Sequence, residues 1–389
     1  MEGENTKAVL VTGGTGFIGS FLGLRLLEEG YKVFFLARRK NNKDARERIR
    51  NRLLMISPAA SKYAKNWQVF EGDTTLQFFG IDNKVLVKLK GQINKIFHCA
   101  ALLSFGSKDE SQAYKINVQG AQNATELAEF LGAELHYLST AYVAGNRTGE
   151  IREDEFDEGQ SFRNIYERTK FEAEKIVRNW RDSKSGRAVI YRPSIVIGDS
   201  KTGLAFSFTG YYAVARFFWS ISEFFRREGE SVSNFPLPIP VAKDSALNLI
   251  TVDAVVDAVF RLSEKSESLG KVFHIVHPYP PQNSMIFDAS IKFLGFPRVR
   301  IWPVSLYTLR AIAGLGWLLS FLFGRVGRFF RRQVFTYVPY FEGSSDFKTE
   351  QARTLLGNYY MPPLITEEVL KKELRWAIKI KFTDRGEEF

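Results

Sequence analysis

The chain has 389 residues, enough for one large domain or two moderate ones, and its 45% hydrophobic and 25% charged residues are ordinary for a globular protein. A formal charge of +11 suits contact with anionic lipid or a phosphorylated small molecule; nucleic acid ranks last, because neither zinc-finger spacing nor a ribonucleoprotein aromatic motif accompanies the charge. A single cysteine, Cys99, excludes an internal disulfide, four histidines without ligand spacing argue against a metal site, and no stretch reaches the ~20 apolar residues that span a membrane.

In chain order, the acidic start Met1-Glu2-Gly3-Glu4 runs directly into a strand, so no secretory signal is expected and a cytoplasmic protein is. Ala8-Val9-Leu10-Val11 has the apolar run of a buried strand, and Phe17 to Glu29 has helical periodicity that Gly30 stops. Between them, Thr12-Gly13-Gly14-Thr15-Gly16-Phe17-Ile18-Gly19 spaces Gly13, Gly16 and Gly19 as Gly-x-x-Gly-x-x-Gly. The first glycine permits a tight turn, the second lets backbone approach a pyrophosphate, and the third lets helix pack on strand. Amides at the helix N-terminus then face the phosphates.

The second strand, Lys32 to Ala37, ends where a dinucleotide site selects its cofactor. A carboxylate there would hold the ribose hydroxyls of NAD, and an arginine the extra phosphate of NADP. Here Arg38-Arg39-Lys40 follows and Asp44 is the first acid beyond, so NADPH is preferred over NADH, with a solvated basic loop as the alternative. A charged helix (Asp44 to Met55) leads to strand Gln68 to Phe70 and to Asp73, placed to accept from the adenine amine. Then come strand Lys95 to His98, a helix over Asn117 to Leu131, strand Glu134 to Leu138, the Tyr166 helix and strand Arg187 to Tyr191.

Strands alternating with helices predict an α/β fold: a Rossmann-type doubly wound parallel sheet with a smaller, mainly helical substrate-binding lobe. The nucleotide half is expected over 1–200 plus 247–278, and the lobe over 201–246 plus 279–389.

Tyr166 and Lys170 stand four apart, so one helix face carries both into one cleft. A phenol near its free pKa of ~10 exchanges protons poorly at neutrality, and a neighbouring ammonium is expected to lower it. Lysine can also bind the nicotinamide ribose. Thr140, just after the fifth strand, would place its hydroxyl on the substrate oxygen. An amphipathic surface helix also explains an isolated Tyr-x-x-x-Lys; the glycine turn upstream is what favours catalysis.

These marks, with Gly72-Asp73, His98-Cys99-Ala100-Ala101 and Asn117-Val118, resemble the extended short-chain dehydrogenase/reductase superfamily over about Val9 to Pro278. Leu138-Ser139-Thr140-Ala141-Tyr142-Val143-Ala144-Gly145 and Tyr191-Arg192-Pro193-Ser194-Ile195-Val196-Ile197-Gly198-Asp199-Ser200 are similar, more narrowly, to its fatty acyl-CoA reductase, male-sterility and thioester-reductase group. The resemblance implies Tyr166 as acid/base, Lys170 on the ribose and Thr140 beside the carbonyl. It also implies Thr15, Phe17, Ile18, Ala100, Pro193 and Ser194 among the cofactor contacts, and NADPH reduction of an acyl thioester such as an acyl-CoA. Dimers are frequent in that superfamily. The adenylation and carrier domains of the multidomain thioester reductases have no counterpart here.

An acyl chain would need an apolar sleeve, for which Phe206, Phe208, Tyr211, Tyr212, Phe217, Phe218 and Trp219 are candidates; core packing explains any one of them as well. Ala311 to Phe323 is apolar, and Arg325, Arg328, Arg331 and Arg332 follow, a pattern that suits peripheral contact with an anionic membrane as well as a core helix or a dimer contact. The expected function is an NADPH-dependent reductase of a lipophilic carbonyl. The alternatives are a reductase of sterol, quinone or other ring ketones, and a non-catalytic NADP sensor; a sugar-nucleotide epimerase ranks lower because the substrate segments are so aromatic.

Overall fold

The computed structural model describes residues 7–40, 42–105, 109–184, 186–229, 237–319, 337–342 and 345–383. Its strands are β1 (Ala8–Thr12), β2 (Lys32–Ala37), β3 (Trp67–Glu71), β4 (Ile93–His98), β5 (Glu134–Leu138), β6 (Gly149–Ile151), β7 (Ala188–Pro193), β8 (Ile195–Ile197), β9 (Leu237–Ala242), β10 (Leu249–Thr251), β11 (Val272–Ile275), β12 (Val299–Val304) and β13 (Ser345–Phe347). Seven of them make one sheet in the order β11-β7-β5-β4-β1-β2-β3, every neighbouring pair parallel. The order reverses between β1 and β4, and the crevice beyond the carboxyl ends at such a reversal is where this architecture binds ligands. Val9, Leu10, Val11, Leu135 and Ile190 have no exposed surface, because helices cover both faces and each strand can be apolar throughout.

The helices that matter for the site are α1 (Phe17–Glu28), α2 (Ala45–Ile56), α3 (Asn83–Leu89), α4 (Glu110–Ala113), α5 (Gly120–Leu131), α6 (Ile165–Ser183), α7 (Tyr211–Arg227), α8 (Val252–Ser263), α9 (Asn283–Phe293) and α10 (Leu306–Leu319). A π-helical turn, Tyr114–Gln119, joins α4 to α5. It buries Asn117, whose side chain bonds both polar groups of the Leu102 backbone and the Thr169 hydroxyl, at 2.7, 3.1 and 2.9 Å. Helix α6 starts where Asn164 accepts the Glu167 amide (3.0 Å), while the Glu167 carboxylate accepts the Arg163 amide (2.9 Å).

Among the described residues three two-stranded pairs lie outside the main sheet: β8 with β10, β9 with β12, and β6 with β13. Pro240 is tolerated in β9, which among the described residues has a single partner strand. The helix Glu367–Lys379 packs on α7 and α9, burying Leu370, Leu374 and Ala377. Its Glu373 carboxyl accepts the Gly198 amide (2.9 Å) and the Tyr212 hydroxyl, and burial pushes it up to about 8. Just before it, the helix Glu350–Leu356 returns to pack on α8 and β11, its first amides capped by Glu153.

Candidate active site

The turn after β1 is built for an anion. Gly13 has φ +69°, and a Cβ there would lie 2.8 Å from the Ala100 nitrogen. At Gly19 a Cβ would sit 2.4 Å from the Gly13 carbonyl, so both positions exclude a side chain. Gly16 is the N-cap of α1, and no side chain caps the helix there, so its first amides are available to phosphate. These features fit a dinucleotide.

At the ends of β2 and β3, Arg38 donates to Asp73 (3.1 Å) and Arg39 lies 3.6 Å from Glu71. Burial works against the Asp73 charge, but the Thr75 amide and Arg38 outweigh it and hold the carboxyl below its usual range. Asp44 is occupied as the N-cap of α2, accepting the Glu47 amide at 2.6 Å. Arg48, which the sequence reading passed over, is buried on the inner face of α2 and donates to the Arg38 carbonyl (2.6 Å). Its signal was its place beside Ile49 and Leu53 on the apolar stripe of α2.

A cleft of about 370 Å³ opens at the carboxyl edge of the sheet. Gly13, Gly16, Phe17, Ile18, Gly19, Thr140, Tyr166, Lys170, Pro193 and Ser194 all line it. Thr15, Arg38, Arg39, Asp73 and Ala100 do not; the Ala100 amide donates to Thr12 (3.2 Å), and its neighbours Cys99 and Ala101 line the cleft instead. Thr140 donates to the Pro193 carbonyl (3.3 Å), and its hydroxyl opposes the rise of the Tyr166 phenol.

The ammonium of Lys170 is tied to the end of β5. It donates to the Tyr137 hydroxyl and to the Leu138 carbonyl, each at 2.7 Å, using two of its three donors. Burial lowers it to about 7, against the pull of Glu174. Tyr166 is correspondingly not lowered. Burial lifts its phenol to about 12, Thr140 opposing and Glu167 adding to the shift. Beneath the pair, burial opposes the charge of Glu174, yet Arg192 and Arg178 hold it at about 2, and it accepts from Ser139 (2.6 Å) beside Thr140.

Of the seven aromatic residues expected to form a sleeve, Phe206 and Tyr211 line the cleft. The others have packing partners outside it: Tyr212 on Glu373, Phe208 and Trp219 on Phe382, Phe218 on Phe296, and Phe217 on Phe218. The remaining rings of the cleft are Phe105, Tyr142, Tyr337, Tyr340 and Phe341. The Tyr340 hydroxyl donates to Glu167 and accepts from Asn164, both at 2.6 Å, so this segment is tied to the start of α6.

Residues 11–259, well over half the chain, match the male sterility protein family. The chain belongs to that family. With the parallel sheet and the glycine turn, it has an NAD(P)-binding Rossmann domain and is of the extended short-chain dehydrogenase/reductase type, a group of NAD(P)-dependent oxidoreductases. A putative fatty acyl-CoA reductase of Drosophila melanogaster is 33% identical over 157 residues, 38% of this chain and 28% of that protein. The L-2-aminoadipate reductase of Saccharomyces cerevisiae is 28% identical over 223 residues, covering 52% of this chain and 16% of its own length. The chain thus spans less than a third of the curated relatives it matches. Among solved structures, the terminal R domain from the myxalamid PKS-NRPS biosynthetic pathway superposes with a TM-score of 0.78 at 25% identity, over 98% of this chain and 92% of that one.

Proposed function

We propose that the protein is an NADPH-dependent reductase of a fatty acyl thioester such as an acyl-CoA, giving the aldehyde or alcohol. The observation that carries this reading is the convergence of Thr140, Tyr166 and Lys170 on one cleft whose one end is the glycine turn and whose other end is aromatic. The relatives' names supply the acyl or carboxylic substrate class. When bound, the nicotinamide supplies hydride to the thioester carbon. Thr140 positions the carbonyl oxygen, and Tyr166, its phenol held protonated, donates the proton. The resulting hemithioacetal loses thiol to give aldehyde. No covalent cysteine is needed: burial pushes the Cys99 thiol up to about 12, where it is a poor nucleophile. Lys170 holds the ribose, and Arg38 turns from Asp73 to the extra phosphate.

Purified protein is expected to oxidise NADPH with a long-chain acyl-CoA, with products identified by mass. Turnover confined to ring ketones would favour the alternative substrate class, and cofactor binding without turnover of any apolar carbonyl would favour the sensor. Arg38→Asp should move the kcat/KM preference toward NADH by about tenfold, the worth of one charge-assisted hydrogen bond; an unchanged ratio removes Arg38 from the phosphate site.

A lipophilic substrate also gives meaning to the lobe's outer surface. Trp302, Tyr307, Leu315, Trp317 and Leu318 are exposed within one stretch of β12 and α10, and aromatic side chains of this kind sit at membrane interfaces. Among the described residues no helix is long and apolar enough to cross a membrane. Arg325, Arg328, Arg331 and Arg332 lie outside the described residues. We read this face as a peripheral contact with anionic membrane. Wild type should float with vesicles containing an anionic phospholipid, and a Trp302→Ser/Tyr307→Ser/Leu315→Ser variant should stay behind. Equal recovery of the two would count against the contact.

A further inference from the structure

Behind the aromatic end of the cleft lies a second, smaller void of about 10 Å³, between α7 and α9. Tyr211 and Phe341 line both spaces, so two rings divide them. The far side is apolar, with Ala215, Phe218, Ile286 and Leu294 on its walls and no charged residue among the described residues lining it. Its two hydroxyls, on Tyr211 and Ser290, bond each other at 2.9 Å. A hydrocarbon chain that passed the two rings would therefore meet no polar group in need of water.

The partition is held in place from both sides. The Ser290 bond fixes Tyr211 to α9. The Phe341 ring lies 5.0 Å from that of Phe287, and its carbonyl accepts from Asn283 at 3.1 Å. The adjacent Tyr340 is tied to Glu167 and Asn164 on the helix that carries Tyr166. The distance from Tyr166 to the partition is thus set by packed elements rather than by one rotamer.

The nucleotide approaches from the glycine turn, so a substrate reaching Thr140 and Tyr166 must lie toward the aromatic side. We propose that Tyr211 and Phe341 are the end stop for the acyl chain and so determine the chain length the enzyme accepts, an inference that rests on the acyl reductase reading. Each methylene buried beyond the stop is worth about fourfold in binding, so opening it should be legible as a shift in preference rather than a general loss.

The test pairs turnover of a homologous series of saturated acyl-CoAs with thermal stabilisation by the matching series of free fatty acids, which reads the apolar space without hydride transfer. Phe341→Ala is expected to shift both profiles to longer chains, with a relative gain of roughly fifteenfold for two added methylenes. Phe341→Leu, a milder change, should shift them less. Adding Ala215→Leu to Phe341→Ala refills the space behind the rings and should return the preference toward that of wild type. Unaltered length profiles in a folded Phe341 variant, or a shift that the Ala215 substitution does not reverse, would overturn the proposal. If the fatty acid profile shifts while no acyl-CoA is reduced by wild type, the end stop stands and the thioester reading falls.

Discussion

Tyr166→Phe is expected to lower turnover roughly a thousandfold, within the range by which a positioned proton donor accelerates a reaction, while NADPH binds nearly as before. The substitution removes one oxygen and keeps the ring that packs 6.3 Å from Phe105, so neither the helix nor the cleft should change shape. The phenol is held at about 12 by burial, which keeps it protonated across the physiological range. Activity that depends on this proton should persist through neutral pH and fall as pH rises toward that value. The Thr140 hydroxyl and the Glu167 charge act on it in opposite directions. Thr140→Val, which deletes the first, should also reduce turnover, whereas a Tyr166→Phe enzyme with near-normal kcat would remove the phenol from the chemistry altogether.

What could be read ahead of the structure was what is local in sequence. The strand-turn-helix around Gly13, Gly16 and Gly19 announces itself because the glycines are demanded by contacts a few residues away, such as Gly19 against the Gly13 carbonyl. The sheet was legible for a related reason: strands covered on both faces keep an unbroken apolar run. Tyr166 and Lys170 were placed in one cleft because four residues is one helical turn. The partner of Lys170 was not foreseeable, since Tyr137 faces it only after β5 has paired with β4 and β7. The same limit applies to the sleeve. Seven rings in and before α7 look alike in sequence, but α9 and the helix Glu367–Lys379 cover most of them, leaving Phe206 and Tyr211 to the cleft. Tyr337, Tyr340 and Phe341 arrive there from more than a hundred residues further along, and the pairing of β9 with β12 also joins distant segments. No local pattern encodes such meetings.

Lys170→Met should uncouple stability from function and reveal it through pH. Lys170 is 2% exposed, and burial lowers its ammonium from the about 10.4 of an unfolded chain to about 7. Below pH 7 the folded and unfolded chains both hold the proton, and the folded state bears the full penalty of a buried charge. Between about 7 and 10 the unfolded chain keeps the proton that the folded one has released, so wild-type stability rises with pH through this window. Methionine fills a similar volume and does not titrate there. It forfeits the bonds to Tyr137 and the Leu138 carbonyl at every pH, so its absolute effect on Tm has two opposing parts, but the pH trend of the difference between variant and wild type does not. Tm of the variant minus Tm of wild type should be greatest near pH 6 and shrink steadily toward pH 10. In the same variant NADPH affinity should fall by roughly tenfold to a hundredfold, the cost of one hydrogen bond from a charged donor. A Tm difference that stays flat with pH would show that the ammonium is not strained by burial. Undiminished NADPH affinity would show that it does not hold the cofactor.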